Sequence, residues 1–199
     1  MTPPRNLQRR QVLADEAIEI LGTRGIHELS HRAVDEAASL PAGTTSNYFK
    51  SRDELLEAVA QRVVDLHLAD MDSVASGMPG EGVAELIGRS LYETATGRRT
   101  RFLAVYQLTL EATRRPVLLH AMAAIAMATL EATIAHHRML GLQTSPEQVQ
   151  MLMTLFGGAL FTLVTAPPEL ITPEGANMLA RCIVSGVLSE VPLVRHTGP

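Results

Sequence analysis

The chain has 199 residues, of which 46% are hydrophobic but only 4% aromatic, with no Trp. A core of Ala, Leu, Val and Met favours packed helices over sheets, and the length suffices for one full core or two smaller ones. The net charge of −4 advertises no polyanion partner overall, although a local basic patch needs no such balance.

Cys182 is the only cysteine, so an internal disulfide is excluded and a reducing compartment is expected. The polar start MTPPRNLQRRQVLADEA holds no apolar signal core, and a cytoplasmic protein is expected. Leu13, Ala17, Ile20 and Leu21 form an apolar stripe that predicts a first helix, with Gly22 and Gly25 stopping it. A short second helix is expected over 30–38, capped by Ser30. Pro41 biases Leu40 away from helix, so SLPAG is a turn, and TTSNYF is a short helix that its neighbours must hold. A long helix is predicted from Ser51 to about residue 75, with Asp53 and Glu54 favouring its N-terminus. SGMPGEG, residues 76–82, is the turn-rich break at which a domain boundary is expected. Five helices follow near 82–96, 100–113, 117–140, 145–165 and 173–190, punctuated by Pro116, Gly141, Pro146, Pro167, Pro168 and Pro173. With no repeat and no alternating strand pattern, the expected fold class is all-α in two parts.

Residues 27–31 read HELSH, literally H-E-x-x-H. A zinc hydrolase needs both histidines on one face of a continuous helix, with a third ligand downstream. Here Gly25 lies just before His27, Ser30 is the better helix start, and no HxxE or HxxGxxH supplies the third ligand. Zinc-dependent hydrolysis through His27, Glu28 and His31 is therefore the alternative reading, and a loop followed by a capped helix the preferred one. SGMPGEG lacks the Lys and hydroxyl of a phosphate-cradling loop, and no Ser-His-Asp or Cys-His set is readable. No enzyme, cofactor or metal site is expected.

Two short helices joined by a tight turn behind a longer one make a helix-turn-helix. GTTSNYFK is small, polar and hydroxyl-rich, a surface suited to a major groove about 12 Å wide. Residues 29–56, LSHRAVDEAASLPAGTTSNYFKSRDELL, resemble the tetracycline-repressor-like (TetR) family of bacterial transcription regulators. The shared pattern is hydroxyl, x, Arg, an alanine-rich helix, a turn, G-T, a polar pair, an aromatic-Phe, then a Ser-basic-acidic-x-Leu helix start. The rest of the chain is similar only in helix count and length. The chain departs from the pattern at Ser39, where a turn glycine is usual, at Asp35, more often alanine, and at Ser46, more often tyrosine. The resemblance implies a helix-turn-helix DNA-binding domain over 1–52, a long connecting helix over 52–75, and a helical effector-binding and dimerisation domain over 76–199.

Ser30, His31 and Arg32 begin the second helix and are expected to meet DNA phosphates. Thr44, Thr45 and Asn47 are expected at or near base edges, since Asn bridges adenine and Thr methyls suit thymine. Tyr48 resembles the family aromatic that reaches a phosphate, whereas Phe49 is expected in the core. Lys50 and Arg52 are expected to grip the backbone of the same half-site. Arg5, Arg9 and Arg10 form a small basic arm that reaches a neighbouring groove or merely keeps the terminus soluble. Residues 1–52 carry seven Lys/Arg against six Asp/Glu, and the remainder ten against fifteen, an asymmetry of the expected sign.

From Gln148 to Pro168 no residue is charged. The apolar run falls short of the roughly 20 residues of a membrane span, so burial against a second copy is the preferred reading. Gly157, Gly158, Leu179, Ile183, Gly186 and Val187 are the expected dimer interface, half of a four-helix arrangement. Met71, Phe102, Tyr106, His120, Met122, Met127 and Phe156 are the expected lining of an effector pocket. His136 and His137 are read as surface. The expected protein is thus a homodimeric regulator, most simply a repressor, with double-stranded operator DNA and a small, mostly apolar effector as partners and no membrane association. A helical protein-binding adaptor working through 148–190 is the remaining alternative.

Overall fold

A computed structural model describes residues 5–74, 82–139 and 141–188, and these carry nine α-helices and no strand. In chain order they are α1 (Arg5–Arg24), α2 (His31–Ala37), α3 (Thr44–Tyr48), α4 (Arg52–Val74), α5 (Val83–Gly97), α6 (Arg99–Ala112), α7 (Pro116–Met139), α8 (Pro146–Thr165) and α9 (Pro173–Leu188). The boundary expected at SGMPGEG lies almost wholly outside the described residues, as does the Met71 side chain.

Local chemistry explains the ends. α1 stops at Gly25, whose φ of 87° is left-handed. Gly22, expected to end the helix, instead lies inside it. A Cβ there would stand 2.1 Å from the Thr100 carbonyl oxygen, so this glycine lets α1 cross the start of α6. Ser30 caps α2, its Oγ accepting the Ala33 N–H at 3.1 Å. At the head of α8, Ser145 and Gln148 form a reciprocal capping box with Pro146 in the first turn. Ser39 is the one non-glycine residue with positive φ, 53°, among those described. It occupies the turn position where a glycine would relieve the Cβ clash. Ser39→Gly is therefore expected to stabilise the fold by about 1 kcal/mol, read as a Tm increase of about 2–4 °C.

Two cores hold the molecule. The first joins Leu13, Ile20 and Leu21 of α1, Val34 of α2 and Leu55, Leu56 and Val59 of α4 around Phe49, which is fully buried as expected. Ala104, Leu108 and Ala112 of α6 and Leu118 of α7 complete it. The N-terminal helices are thus packed onto the body, not merely tethered to it. The second core joins Leu91 and Ala95 of α5, Leu152, Leu160 and Val164 of α8, and Ala176, Ala180 and Ile183 of α9.

This second core corrects part of the expected dimer surface. Ile183 is 7% exposed and packed within its own chain, while Leu179 and Val187 lie half-buried against the same cluster. Gly158 and Gly186 remain outside, with no atom within 4 Å of where a Cβ would sit. α7 and α8 are long and apolar enough to cross a membrane by length and composition alone. α8 nevertheless places Val149, Leu152, Leu160 and Val164 inside the protein, which is how a core helix is used.

Candidate functional site

The α2–α3 pair is held by a single buried carboxylate. Asp35, 3% exposed, accepts the Gly43 N–H at 2.8 Å, the Thr45 N–H at 2.7 Å and the Thr45 hydroxyl at 2.6 Å. Burial works against its charge, but the Thr45 and Gly43 hydrogen bonds, aided by the charge of His31, hold the carboxyl below its ordinary range. Gly43, with φ of 87°, starts α3 in the left-handed region. α3 is so short that this staple, together with Phe49 in the core, fixes its direction.

Fixed this way, α3 presents Ser46 and Asn47 to solvent, with Lys50 exposed just beyond its end and its Nζ donating to the Ser46 carbonyl at 3.3 Å. The Thr44 hydroxyl donates to the Pro41 carbonyl at 2.6 Å, and the Ser46 hydroxyl to the Gly43 carbonyl at 2.9 Å. Tyr48 is half-buried against the first core. Ser30 and Arg32 are exposed at the start of α2, Arg32 paired with Glu36 at 2.8 Å.

Three expected contacts are corrected. Thr45 is fully buried and bonded to Asp35 through both its N–H and its hydroxyl, so it supports α3 from behind and is turned from any base edge. Arg52 donates to the Ile26 carbonyl, anchoring α4 beneath the preceding turn instead of reaching outward. His31 is half-buried, with Nε2 enclosed, and so is a poor phosphate donor. Arg10 of the basic arm is also engaged, donating to the Tyr48 carbonyl at 2.8 Å and lying 4.6 Å over the Phe49 ring. The HELSH string is split: His27 sits in a 3-10 turn over Ile26–Glu28 and His31 opens α2, with Leu29 extended between them. The two imidazoles therefore do not share a helix face, and no three potential ligands converge on a metal position among the described residues.

A cavity of about 400 Å³ lies between α4, α5, α6, α7 and α8, within the size range of small-molecule sites. Phe102, Tyr106 and Phe156 line it, together with Ile87, Leu152 and Leu160. The Tyr106 hydroxyl donates to the Gly157 carbonyl at 2.8 Å, and burial pushes its pKa up to about 12. Gly157 therefore lines the cavity through its carbonyl, while the space where its Cβ would sit is as open as at Gly158 and Gly186. His120, Met122 and Met127 do not line the cavity. His120 is exposed on α7 with Nδ1 2.6 Å from the Pro116 carbonyl, Met122 packs on the first core, and Met127 faces solvent.

The polar lining was not expected from the sequence. Asp70 of α4 binds Arg98 at 2.9 Å and also Arg101. His67, one turn earlier on α4, meets the edge of the Phe102 ring at 6.4 Å. Burial and then the Arg101 charge, outweighing Asp70, push His67 below the usual imidazole range, so it is neutral at pH 7. His136 and His137, read as surface, both line the cavity, with His137 Nδ1 2.9 Å from the Thr144 hydroxyl. The i, i+3 spacings of His67 with Asp70 and of Arg98 with Arg101 were the available signals.

Comparison with known proteins bears on both sites. A family model described as bacterial regulatory proteins, tetR family, matches residues 13–59, and one described as tetracyclin repressor-like, C-terminal domain, matches residues 78–189. The chain is 36% identical over 58 residues to the HTH-type transcriptional regulator LuxR of Vibrio harveyi, a match spanning 29% of this chain and 28% of that protein. It is similar along most of its length to the multidrug binding protein EbrR complexed with ethidium, with a TM-score of 0.66, 29% identity, and coverage of 88% of this chain and 98% of that one. A TetR-family member from Streptomyces coelicolor A3 is 28% identical with a TM-score of 0.66, covering 90% and 98% of the two chains.

Proposed function

The chain belongs to the tetR family of bacterial regulatory proteins, and from that premise we propose that it is a homodimeric transcriptional repressor, released from a near-palindromic operator by a small, mostly apolar effector. The observation that carries this reading is that one helix joins both sites. α4 buries Leu55, Leu56 and Val59 in the core behind the recognition helix α3, and its far end puts His67 and Asp70 in the cavity wall. A ligand that alters the hold on α4 at one end alters the placement of α3 at the other. Such a ligand shifts the equilibrium only by its differential affinity, and about 5.5 kcal/mol converts one state almost wholly into the other. The complexes of EbrR with ethidium and imidazole support small-molecule binding by this type of fold.

A second copy is supported by the outer faces of α8 and α9. On α8 the exposed residues Met151, Leu155, Gly158 and Thr162 follow 4–3–4 spacing, and on α9 Met178, Cys182, Ser185 and Gly186 follow 4–3–1 spacing. Each is a single, largely uncharged helical stripe, which suits a four-helix interface. Leu155→Glu is expected to raise the dimer dissociation constant about 100-fold, roughly 2.8 kcal/mol, in analytical ultracentrifugation. A monomeric wild-type chain would remove the dimer from the proposal.

Two recognition helices would then meet major-groove faces about 34–36 Å apart, or a multiple of it. Ser46, Asn47 and Lys50 are the outward-facing contacts of each, with Ser30 and Arg32 beside the backbone. The cytoplasm, where the operator lies, is the proposed location. Selection of bound DNA from a random pool, followed by gel shifts across a salt series, tests binding, symmetry and spacing together. A steep fall of affinity with salt is expected, and Lys50→Ala should reduce the logarithmic slope by about one. A flat response would overturn the phosphate contacts.

A further inference from the structure

We propose that the effector carries a carboxylate on an apolar body, and that this carboxylate competes with Asp70 for Arg98 and Arg101, detaching the end of α4 from α6. The inference rests on the cavity being the effector site, as proposed above.

The charges in the cavity wall are unevenly matched. Arg98 and Arg101, both reaching the cavity from the start of α6, share the one carboxylate of Asp70. α5 contributes one charge of each sign, Arg89 and Glu93. His67 beside them is neutral, its charged form disfavoured by burial and by the guanidinium of Arg101. Among the described lining residues three guanidiniums thus stand against two carboxylates, inside a cavity whose other lining is dominated by Ile87, Phe102, Phe156 and Leu160. The Nε of Arg101 is buried with no hydrogen-bond partner, so the guanidinium fork is only partly used. A planar carboxylate is the group that completes such a fork with paired, charge-assisted hydrogen bonds. An ammonium or other cation would meet the same guanidiniums as a like charge in a site of low dielectric.

The competition supplies the differential binding that a switch requires. Asp70 lies four residues from the end of α4, and its ion pairs with Arg98 and Arg101 fasten that end to α6. When the ligand carboxylate occupies the guanidiniums, the charge balance of the arginines is kept while the α4–α6 fastening is lost. An uncharged ligand of the same shape fills the apolar space without releasing Asp70.

The test titrates the full chain by calorimetry with decanoate, 1-decanol and decyltrimethylammonium, which share one alkyl body and differ in charge. Decanoate is expected to bind about tenfold or more tighter than the alcohol, with the cation weakest. Arg101→Gln and Arg98→Gln should each weaken decanoate about tenfold while leaving the alcohol within about twofold. Asp70→Asn, which removes the competitor, should tighten decanoate. Should that variant fold poorly, the two glutamine variants carry the comparison.

Equal or tighter binding of the alcohol or the cation overturns the inference. So does decanoate affinity unchanged in both glutamine variants, or no binding of any probe. Operator gel shifts separate this from the broader reading. Release by the alcohol or the cation but not by decanoate leaves an effector-controlled regulator whose effector is not a carboxylate, whereas absence of any operator complex defeats the repressor reading itself.

Discussion

Asp35→Ala is expected to destabilise the protein by about 3 kcal/mol, because two backbone N–H groups and a buried hydroxyl lose their shared acceptor. For a chain of this size the loss should appear as a fall in Tm of about 6–12 °C. The conservative variant Asp35→Asn is the sharper test. It keeps the shape but sets an NH2 group or a weaker carbonyl acceptor against the Gly43 and Thr45 donors, all now held at 2.6–2.8 Å. Its stability should lie closer to that of Ala than to that of the wild type. Operator affinity should fall by more than about tenfold in either variant even where the chain is folded, because the start of α3 is no longer fixed. The pH dependence has a definite sign. Asp35 is held below its ordinary range when folded, so its contribution is complete above the unfolded pKa of about 3.9 and is lost as pH falls through the lower folded value. The stability gap between wild type and Asp35→Asn should therefore narrow only in strong acid. A gap that is small at pH 7, or that stays constant across the acid limb, would show that the carboxylate charge does not hold the turn.

The staple also shows how far the sequence could be read. Helix positions were legible because apolar spacing, caps and proline punctuation act within a few residues, and all nine helices lie near their expected spans. Asp35 was legible as a departure from the family pattern, but not its use. Its partners stand eight and ten residues away, and only the turn geometry brings them to it. Thr45 and Asn47 look alike in a hydroxyl- and amide-rich string, yet they lie on different sides of a one-turn helix, so one is buried and the other exposed. Burial at that scale is decided by how Phe49 docks, which no local pattern encodes.

The body of the protein is less legible for a related reason. α9 is apolar on two adjoining stripes, so its composition does not say which faces its own chain. The inward stripe contains Ala176, Ala180 and Ile183, and the outward stripe contains Met178 and Cys182. A shift of one residue turns a helix by about 100°, enough to exchange a core position for an exposed one. The cavity posed the opposite difficulty. Aromatic and Met content points to Phe102, Tyr106 and Phe156, but the charged lining comes from α4, α5 and the start of α6, brought together only by tertiary packing. Met122 shares the α7 face of the lining residues Thr129 and Thr133 but lies about two turns earlier, against the first core, whereas Met127 faces solvent.

Gly22→Ala is expected to cost about 2–3 kcal/mol, a Tm loss of about 4–12 °C, although alanine is the better helix former at an interior position. The reason is contact and not propensity. The added methyl would stand 2.1 Å from the Thr100 carbonyl oxygen and 2.5 Å from the Thr100 Cγ2. The carbonyl is backbone and cannot rotate away, so α1 and α6 must separate by about 1 Å to restore ordinary contact. That crossing is one of the places where the DNA-binding helices rest on the body, with Ala17, Ile20 and Leu21 of α1 and Ala104 and Leu108 of α6 in the same core. Separation there would disturb the platform against which α4 moves in the proposed mechanism, so effector-dependent operator release should weaken along with stability. Thr100→Gly in the Gly22→Ala background removes the Cγ2 clash but not the carbonyl clash. It should therefore restore little of the loss. Full rescue by that second change would locate the conflict in the side chain, and an unchanged Tm for Gly22→Ala alone would mean that the two helices do not approach as closely as described.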